Sequence, residues 1–184
     1  MTPPNGLDQQ DEQRYPGGSL HVVLYRPEIP QNTGNVARTC AATHTPLHLV
    51  EPLGFQLSDR YLKRAGLDYW PHVRLEVHPG WGVARERLAG CRLVLFSTRG
   101  ELPYHHFGFR PGDCLVFGSE TTGLPQELFA AHPDHVVHLP IDRTHVRSLN
   151  LSTAVGIALF EAIRQLTLDE HSVAPLETSR ICLP

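Results

Sequence analysis

The sequence predicts an α/β protein built on a parallel sheet flanked by helices, and three observations lead there. Short apolar runs rich in β-forming residues alternate with helical patterns along the chain. Those runs read as buried strands. Polar and glycine-containing residues collect directly after three of them: STRG after Phe96, GSETTG after Phe117 and PIDRTHVRSLN after Leu139. Ligands of parallel sheets bind beyond the carboxyl ends of the strands, so this convergence marks a candidate site.

Leu20–Arg26 is the first expected strand, followed by PEIPQNTGN as a Pro/Asn/Gly loop and VARTCAAT as a helix. LHLVE (Leu47–Glu51) is the second strand. Ser58 is placed to cap a short basic helix, DRYLKRAGL, that stops near Gly66. VRLEV (Val73–Val77) reads as a strand, and WGVARERLA (Trp81–Ala89) as a helix closed by Gly90. Further strands are RLVLFST (Arg92–Thr98), CLVFGS (Cys114–Ser119) and HVVHLP (His135–Pro140). LPQELFAAH forms a helix after Gly123 with Pro125 in its first turn. The last helix, Leu151–Leu166, is apolar almost all round up to Glu161, so more than one side should be covered. A homodimer interface would do this, and so would the sheet together with a neighbouring helix.

The 184 residues fit one domain. Residues 1–19 read as a disordered tail, 20–166 as the folded domain and 167–184 as a second tail. No apolar run approaches the roughly 20 residues of a membrane span, and the N-terminus lacks the apolar stretch of a secretory signal. The 4 cysteines are far apart and form no CxxC pair, so neither a disulfide framework nor a structural zinc site is expected. A reducing cytoplasm is the inferred location. The net charge of −3 comes from the tails, because residues 20–166 hold 14 basic and 13 acidic groups. All basic residues but Lys63 are arginine, which makes forked contacts to phosphate. Codon usage explains that ratio equally well, and charge alone leaves RNA binding open.

GSETTG could present backbone N–H groups to an anion or a polar cofactor. It is not a Walker loop, since Leu124-Pro125 follows Gly123, and no GxGxxG opens the first βαβ unit. Ser119 follows Gly118 directly and misses the GxSxG elbow of serine hydrolases. His132, His135 and His138 invite a metal reading, but His135 and His138 would face opposite sides of a strand. No metal is expected. Asn32, Thr33 and Asn35 could cap the helix that carries Arg38, yet with Glu28 and Gln31 they exceed what one cap needs. Arg60, Lys63 and Arg64 share a helix face beside Tyr69 and Trp70, a pattern suited to phosphates and unstacked bases. Spacing alone slightly favours a plain solvated face.

PEIPQNTGNVARTC, RAGLDYW, LVFGSETTGLP and LPIDRTHVRSLNLSTAV, in this order, resemble the motif set of the SPOUT-superfamily tRNA 2′-O-methyltransferases. The resemblance is to the TrmL (YibK-like) type, which acts on the wobble cytidine or uridine, and it spans residues 20–166. It implies a C-terminal deep trefoil knot and a homodimer, with the tRNA anticodon loop as partner and tRNA-Leu as a substrate type. S-adenosylmethionine is the implied cofactor. Its binding positions are Phe96, Ser97, Thr98 and Gly100, then Gly118, Ser119, Glu120 and Gly123, then Leu139, Ile141, Ser148, Leu149 and Asn150. Arg38 and Asn35 are the implied catalytic pair, and Asn32, Arg60, Lys63, Arg64, Tyr69 and Arg147 the residues facing RNA. The chain departs from the family's pattern at Thr153, commonly asparagine, and at Phe160, often tyrosine; the loop from Pro140 to Arg147 is also a residue longer. The alternatives are a related enzyme acting at another tRNA or ribosomal RNA position, and a non-catalytic RNA-binding module on the same fold.

Overall fold

The computed structural model describes residues 16–57 and 69–169. Seven strands form one sheet: β1 (His21–Tyr25), β2 (Leu47–Val50), β3 (Leu75–His78), β4 (Arg92–Phe96), β5 (Leu102–Pro103), β6 (Asp113–Phe117) and β7 (Val136–His138). Their spatial order is β3-β2-β1-β6-β4-β7-β5, and every pairing is parallel. Among the described residues, four α-helices flank the sheet: α1 (Pro30–Ala42), α2 (Trp81–Arg87), α3 (Gln126–Ala131) and α4 (Leu151–Asp169). Among the described residues, no helix is long and apolar enough to cross a membrane.

The central strands are apolar on both faces because both faces are covered. Val22, Leu24, Val94, Phe96, Leu115 and Phe117 pack toward α1 and α4, meeting Val36, Ala37, Val155 and Leu159. The alternate residues Val23, Leu93, Leu95, Cys114 and Val116 pack toward Ala84 and Leu88 near α2 and Leu128 of α3. Burial pushes the thiols of Cys40 and Cys114 up, so they behave as small apolar groups.

Several elements differ from the sequence reading. Helix α1 starts at Pro30, inside the segment read as a loop. Proline fits a first helical turn because its missing N–H is not needed there. No side chain at Ile29 caps the helix; the carboxylate of distant Glu120 accepts the N–H groups of Glu28 (2.8 Å) and Ile29 (3.3 Å) instead. A negative group at a helix N-terminus is also favoured by the helix dipole. Asn32, Thr33 and Asn35 therefore lie within the helix and are not its caps. His135 lies in a 3-10 turn (Pro133–His135), so strand alternation does not apply to it; its ring stacks on His132, 6.5 Å between centroids. The edge strand β5 is two residues long and leaves no periodicity to read. A 3-10 turn (Pro16–Ser19) precedes β1, and α4 runs beyond Leu166. The helix expected after Ser58 falls outside the described residues.

At the amino ends of β4 and β6, Arg92 makes two bonds to the Asp113 carboxylate, at 2.7 and 2.6 Å. Asp113 is fully buried and also accepts the Arg110 N–H, while Arg92 reaches the Gly108 carbonyl and lies over the Phe107 ring. The buried carboxylate at this end of β4 and β6 is thus paired and hydrogen-bonded.

Candidate functional site

The carboxyl ends of β4, β6 and β7 open into a cavity of about 900 Å3. Three loops and two helix starts build it. The β4 loop contributes Ser97, Thr98 and Arg99, and the β6 loop contributes residues from Gly118 to Gly123. After β7, Leu139, Ile141, Arg143 and Arg147–Asn150 complete the wall, with Ile29, just before α1, and Asn32 of α1 at one side. Gly100 lines an adjoining cavity of about 510 Å3 with Thr98, His138 and Ile141.

Two glycines are fixed by close approach of backbone. A Cβ on Gly118 would stand 2.1 Å from the carbonyl carbon of Gly123, and one on Gly100 would stand 2.7 Å from that of Val137. The β6 loop folds back on itself through the Gly123 N–H bond to the Ser119 carbonyl (3.0 Å), and Gly123 takes a left-handed φ of 69°. The Ser119 hydroxyl is buried and meets that of Thr122 at 2.8 Å, which closes the turn from inside.

One hydrogen-bond chain joins three separate segments. Besides the amides at the start of α1, Glu120 accepts from the side-chain amide of Asn32 at 2.9 Å. The Asn32 carbonyl oxygen accepts from Asn150 Nδ2 at 2.8 Å. Asn150 also caps α4, its Oδ1 accepting the Ser152 N–H (2.9 Å) and hydroxyl (2.7 Å). Thr121 adds a further hydroxyl bond to the Glu28 carboxylate. Asn32 is 5% exposed, so it stands at the centre of this chain, between the β6 loop and the start of the last helix.

Further along α1, Asn35 and Arg38 are exposed. The Arg38 guanidinium lies over the Tyr69 ring, 4.8 Å from its centroid, and the Tyr69 hydroxyl donates to the Gly34 carbonyl at 2.9 Å. Tyr69 thus braces Arg38 against its own helix. Arg147 and Ser148 are exposed at the cavity wall, while Leu149 is half-buried. Phe96 and Phe117 stack at 4.7 Å to form the cavity floor. Arg60, Lys63 and Arg64 lie outside the described residues.

Arg99, within the STRG strand end, lines the cavity as well, and so do Arg143 and Phe129, to which the sequence reading gave no role. Arg99 donates to Gln126 at 2.9 Å and lies over the Phe129 ring at 5.7 Å. Its place in STRG at a strand end is the signal that marks it in the sequence. Phe129 carried none, being one apolar residue among several in a short helix.

The SpoU rRNA methylase family matches residues 19–160, which contain every segment that builds the cavity. The chain belongs to the SpoU methylase family. A tRNA (cytidine(34)-2′-O)-methyltransferase of Methylovorus glucosotrophus is 49% identical over 145 residues, covering 78% of this chain and 94% of that protein. A solved structure concerned with 2-OH methylation of C/U34 on tRNA aligns with a TM-score of 0.75 at 56% identity, over 80% of this chain and 96% of that one. The SpoU methyltransferase AviRb of Streptomyces viridochromogenes, solved in complex with AdoMet, aligns with a TM-score of 0.65 at 26% identity. That alignment covers 79% of this chain and 59% of AviRb. Within the SpoU frame, the glycine-bounded β6 loop and the segment before α4 face each other across the cavity, and α1 presents Arg38 beyond its rim.

Proposed function

We propose that this SpoU protein transfers the methyl group of S-adenosylmethionine to the ribose 2′-hydroxyl of the wobble cytidine or uridine in the tRNA anticodon loop, in the cytoplasm, with tRNA-Leu types among its substrates. The observation that carries this reading is the chain Glu120–Asn32–Asn150, which ties the cavity loops to the helix bearing Arg38.

The cavity suits the cofactor. Its volume lies within the usual range for small-molecule sites, roughly 300–1,000 Å3, and the close backbone packing at Gly118 and Gly100 fixes the loops that line it. The floor is aromatic, and Ser97, Thr98 and Ser148 bring hydroxyl groups to the walls. Phe96–Gly100, Gly118–Glu120, Gly123, Leu139, Ile141 and Ser148–Asn150 are assigned to it. A trefoil knot fits the strand order, with β7 seated between β4 and β5 before the chain returns to α4.

When bound, S-adenosylmethionine supplies a methyl group on a sulfonium. The ribose O2′ forms the new bond to carbon as the carbon–sulfur bond breaks, and the hydroxyl proton leaves to phosphate or water. Charge is dispersed at the methyl, so alignment dominates; fixed geometry of this kind contributes several kcal/mol in related reactions, about 7 or more at best. A guanidinium is a poor proton acceptor. Arg38 therefore acts by clamping the neighbouring phosphate and polarising the hydroxyl, with Tyr69 holding it in place and Asn35 orienting the nucleotide. Asn32 and Glu120 hold the loops and do not touch the reacting atoms. Arg147 at the cavity wall takes part in holding RNA, with Arg60, Lys63 and Arg64.

The chain is proposed to work as a homodimer through α4, where Phe160 is 57% and Ile157 38% exposed on the face turned from the core. Methyl transfer from labelled S-adenosylmethionine to tRNA lacking the modification, mapped by nucleoside mass spectrometry, tests the activity. A 2′-O-methylated wobble pyrimidine is the expected product. A methyl group at another position refutes the substrate, and no incorporation despite cofactor binding refutes the enzyme.

A further inference from the structure

Away from the cavity, on β1, β2 and β3, four polar side chains share the sheet face that packs toward α2. Val23 pairs with His48, His48 with Glu76, and Val50 with His78, so His21, His48, Glu76 and His78 all point to one side. His48 Nδ1 lies 3.0 Å from His78 Nε2, and His48 Nε2 lies 3.0 Å from His21 Nδ1. One ligand atom from each of His48, Glu76 and His78 falls within 4.8 Å of the others. His48 and His78 are buried, at 1% and 4% exposure, while the Glu76 side chain is 36% exposed and gives the cluster an opening to solvent.

We propose that His48, Glu76 and His78 form a binding site for one divalent transition ion of the zinc class. Two imidazoles and one carboxylate are a zinc ligand set, leaving a position for water. Zinc–nitrogen bonds of about 2.0–2.1 Å at a tetrahedral angle put two ligand nitrogens about 3.3 Å apart. The 3.0 Å pair therefore opens by only a few tenths of an ångström. A proton on His48 Nε2 donated to His21 Nδ1 leaves the His48 Nδ1 lone pair facing the site, the arrangement that orients metal-bound histidines. His78 contributes its Nε2 lone pair once its proton resides on Nδ1, with no change of charge. Burial favours the neutral imidazoles that ligate. Apolar side chains such as Val23 and Val50 beside them would fill this face without hydrogen-bond demands.

The Glu76 carboxylate is held by Arg87 through bonds of 2.8 and 2.9 Å. The Arg87 side chain is 63% exposed, so the pair is weak and yields to a bound cation. The ion would clamp β2 to β3 and take no part in methyl transfer, whose cavity lies at β4, β6 and β7.

The test uses the full chain without a histidine tag, stripped with chelator and titrated with Zn(II) against a chromophoric chelator, with thermal unfolding followed in parallel. One equivalent bound per chain and a raised Tm are expected. Glu76→Gln and His78→Gln should each weaken binding about tenfold or more. Arg87→Gln should tighten it by freeing the carboxylate, an effect that binding at the other surface histidines would not show. Glu76 and Arg87 are at the surface, so their variants fold even if His78→Gln does not. Absence of stoichiometric binding, or affinity unchanged in Glu76→Gln and Arg87→Gln, overturns the site.

Discussion

The two ends of β4 and β6 do opposite work. At the amino ends, Arg92 and the buried Asp113 pair, and the Gly108 carbonyl and Arg110 N–H complete their hydrogen bonding. At the carboxyl ends, Phe96 and Phe117 stop at an open cavity whose polar groups come from loops. The same strands thus carry a stabilising pair at one end and a binding site at the other. Stability and activity should therefore respond to different residues.

The largest stability effect should come from Asp113→Ala, which leaves the mostly buried Arg92 guanidinium unbalanced. A loss of about 3–5 kcal/mol is expected by denaturant unfolding, with the methyl-transfer rate of the folded fraction unchanged. Arg38→Ala should do the reverse, lowering turnover on the order of 10²–10³-fold while cofactor affinity and unfolding stay near the parent. Single-turnover kinetics and calorimetric cofactor titration check this. Equal loss of rate and cofactor affinity would show that Arg38 supports the cavity and not the transfer.

Glu120→Ala should blur the division, because this carboxylate serves both the α1 start and the cavity wall. About 1–3 kcal/mol of stability and measurable cofactor affinity should go together.

The histidine cluster adds a pH dependence in chelator-treated protein. Burial first, then the charge of His21, lower the His48 pKa from 6.5 to about 4. His78 and Arg87 also disfavour its charged form, while Glu76 favours it. The folded state thus binds fewer protons than the unfolded state between those values. Its stabilising contribution is complete above pH 6.5 and is lost as pH falls toward 4. The loss reaches at most about 3 kcal/mol, and His48→Gln should flatten that part of the curve. The smallest effect is Asn150→Ala, about 1 kcal/mol for a lost helix cap, with weakened cofactor binding through Asn32.

Much of the architecture was legible in the sequence. LHVVLYR, RLVLFST and CLVFGS are strands because runs of β-formers of that length fit a sheet covered on both faces, and all three are. The three polar strand ends do meet at one cavity. The start of α1 was not legible. PEIPQNTGN has loop composition, and its helical turn depends on Glu120, which is 91 residues from Ile29. Tyr69 showed its aromatic character in the sequence, but its contact with Arg38 did not follow from spacing. The His48, Glu76 and His78 cluster left no motif, since its members sit on separate strands joined only by register.

The sequence by itself determined the long buried strands, the apolar last helix, the polar strand ends and the family motifs, because these rest on periodicity and local residue chemistry. Only the tertiary structure decided that Asn32 sits between Glu120 and Asn150, that Tyr69 braces Arg38, and that three imidazoles line up across β1, β2 and β3. Each of these contacts joins residues far apart in the chain, and the packing of parallel strands, which local preference does not specify, sets their separation.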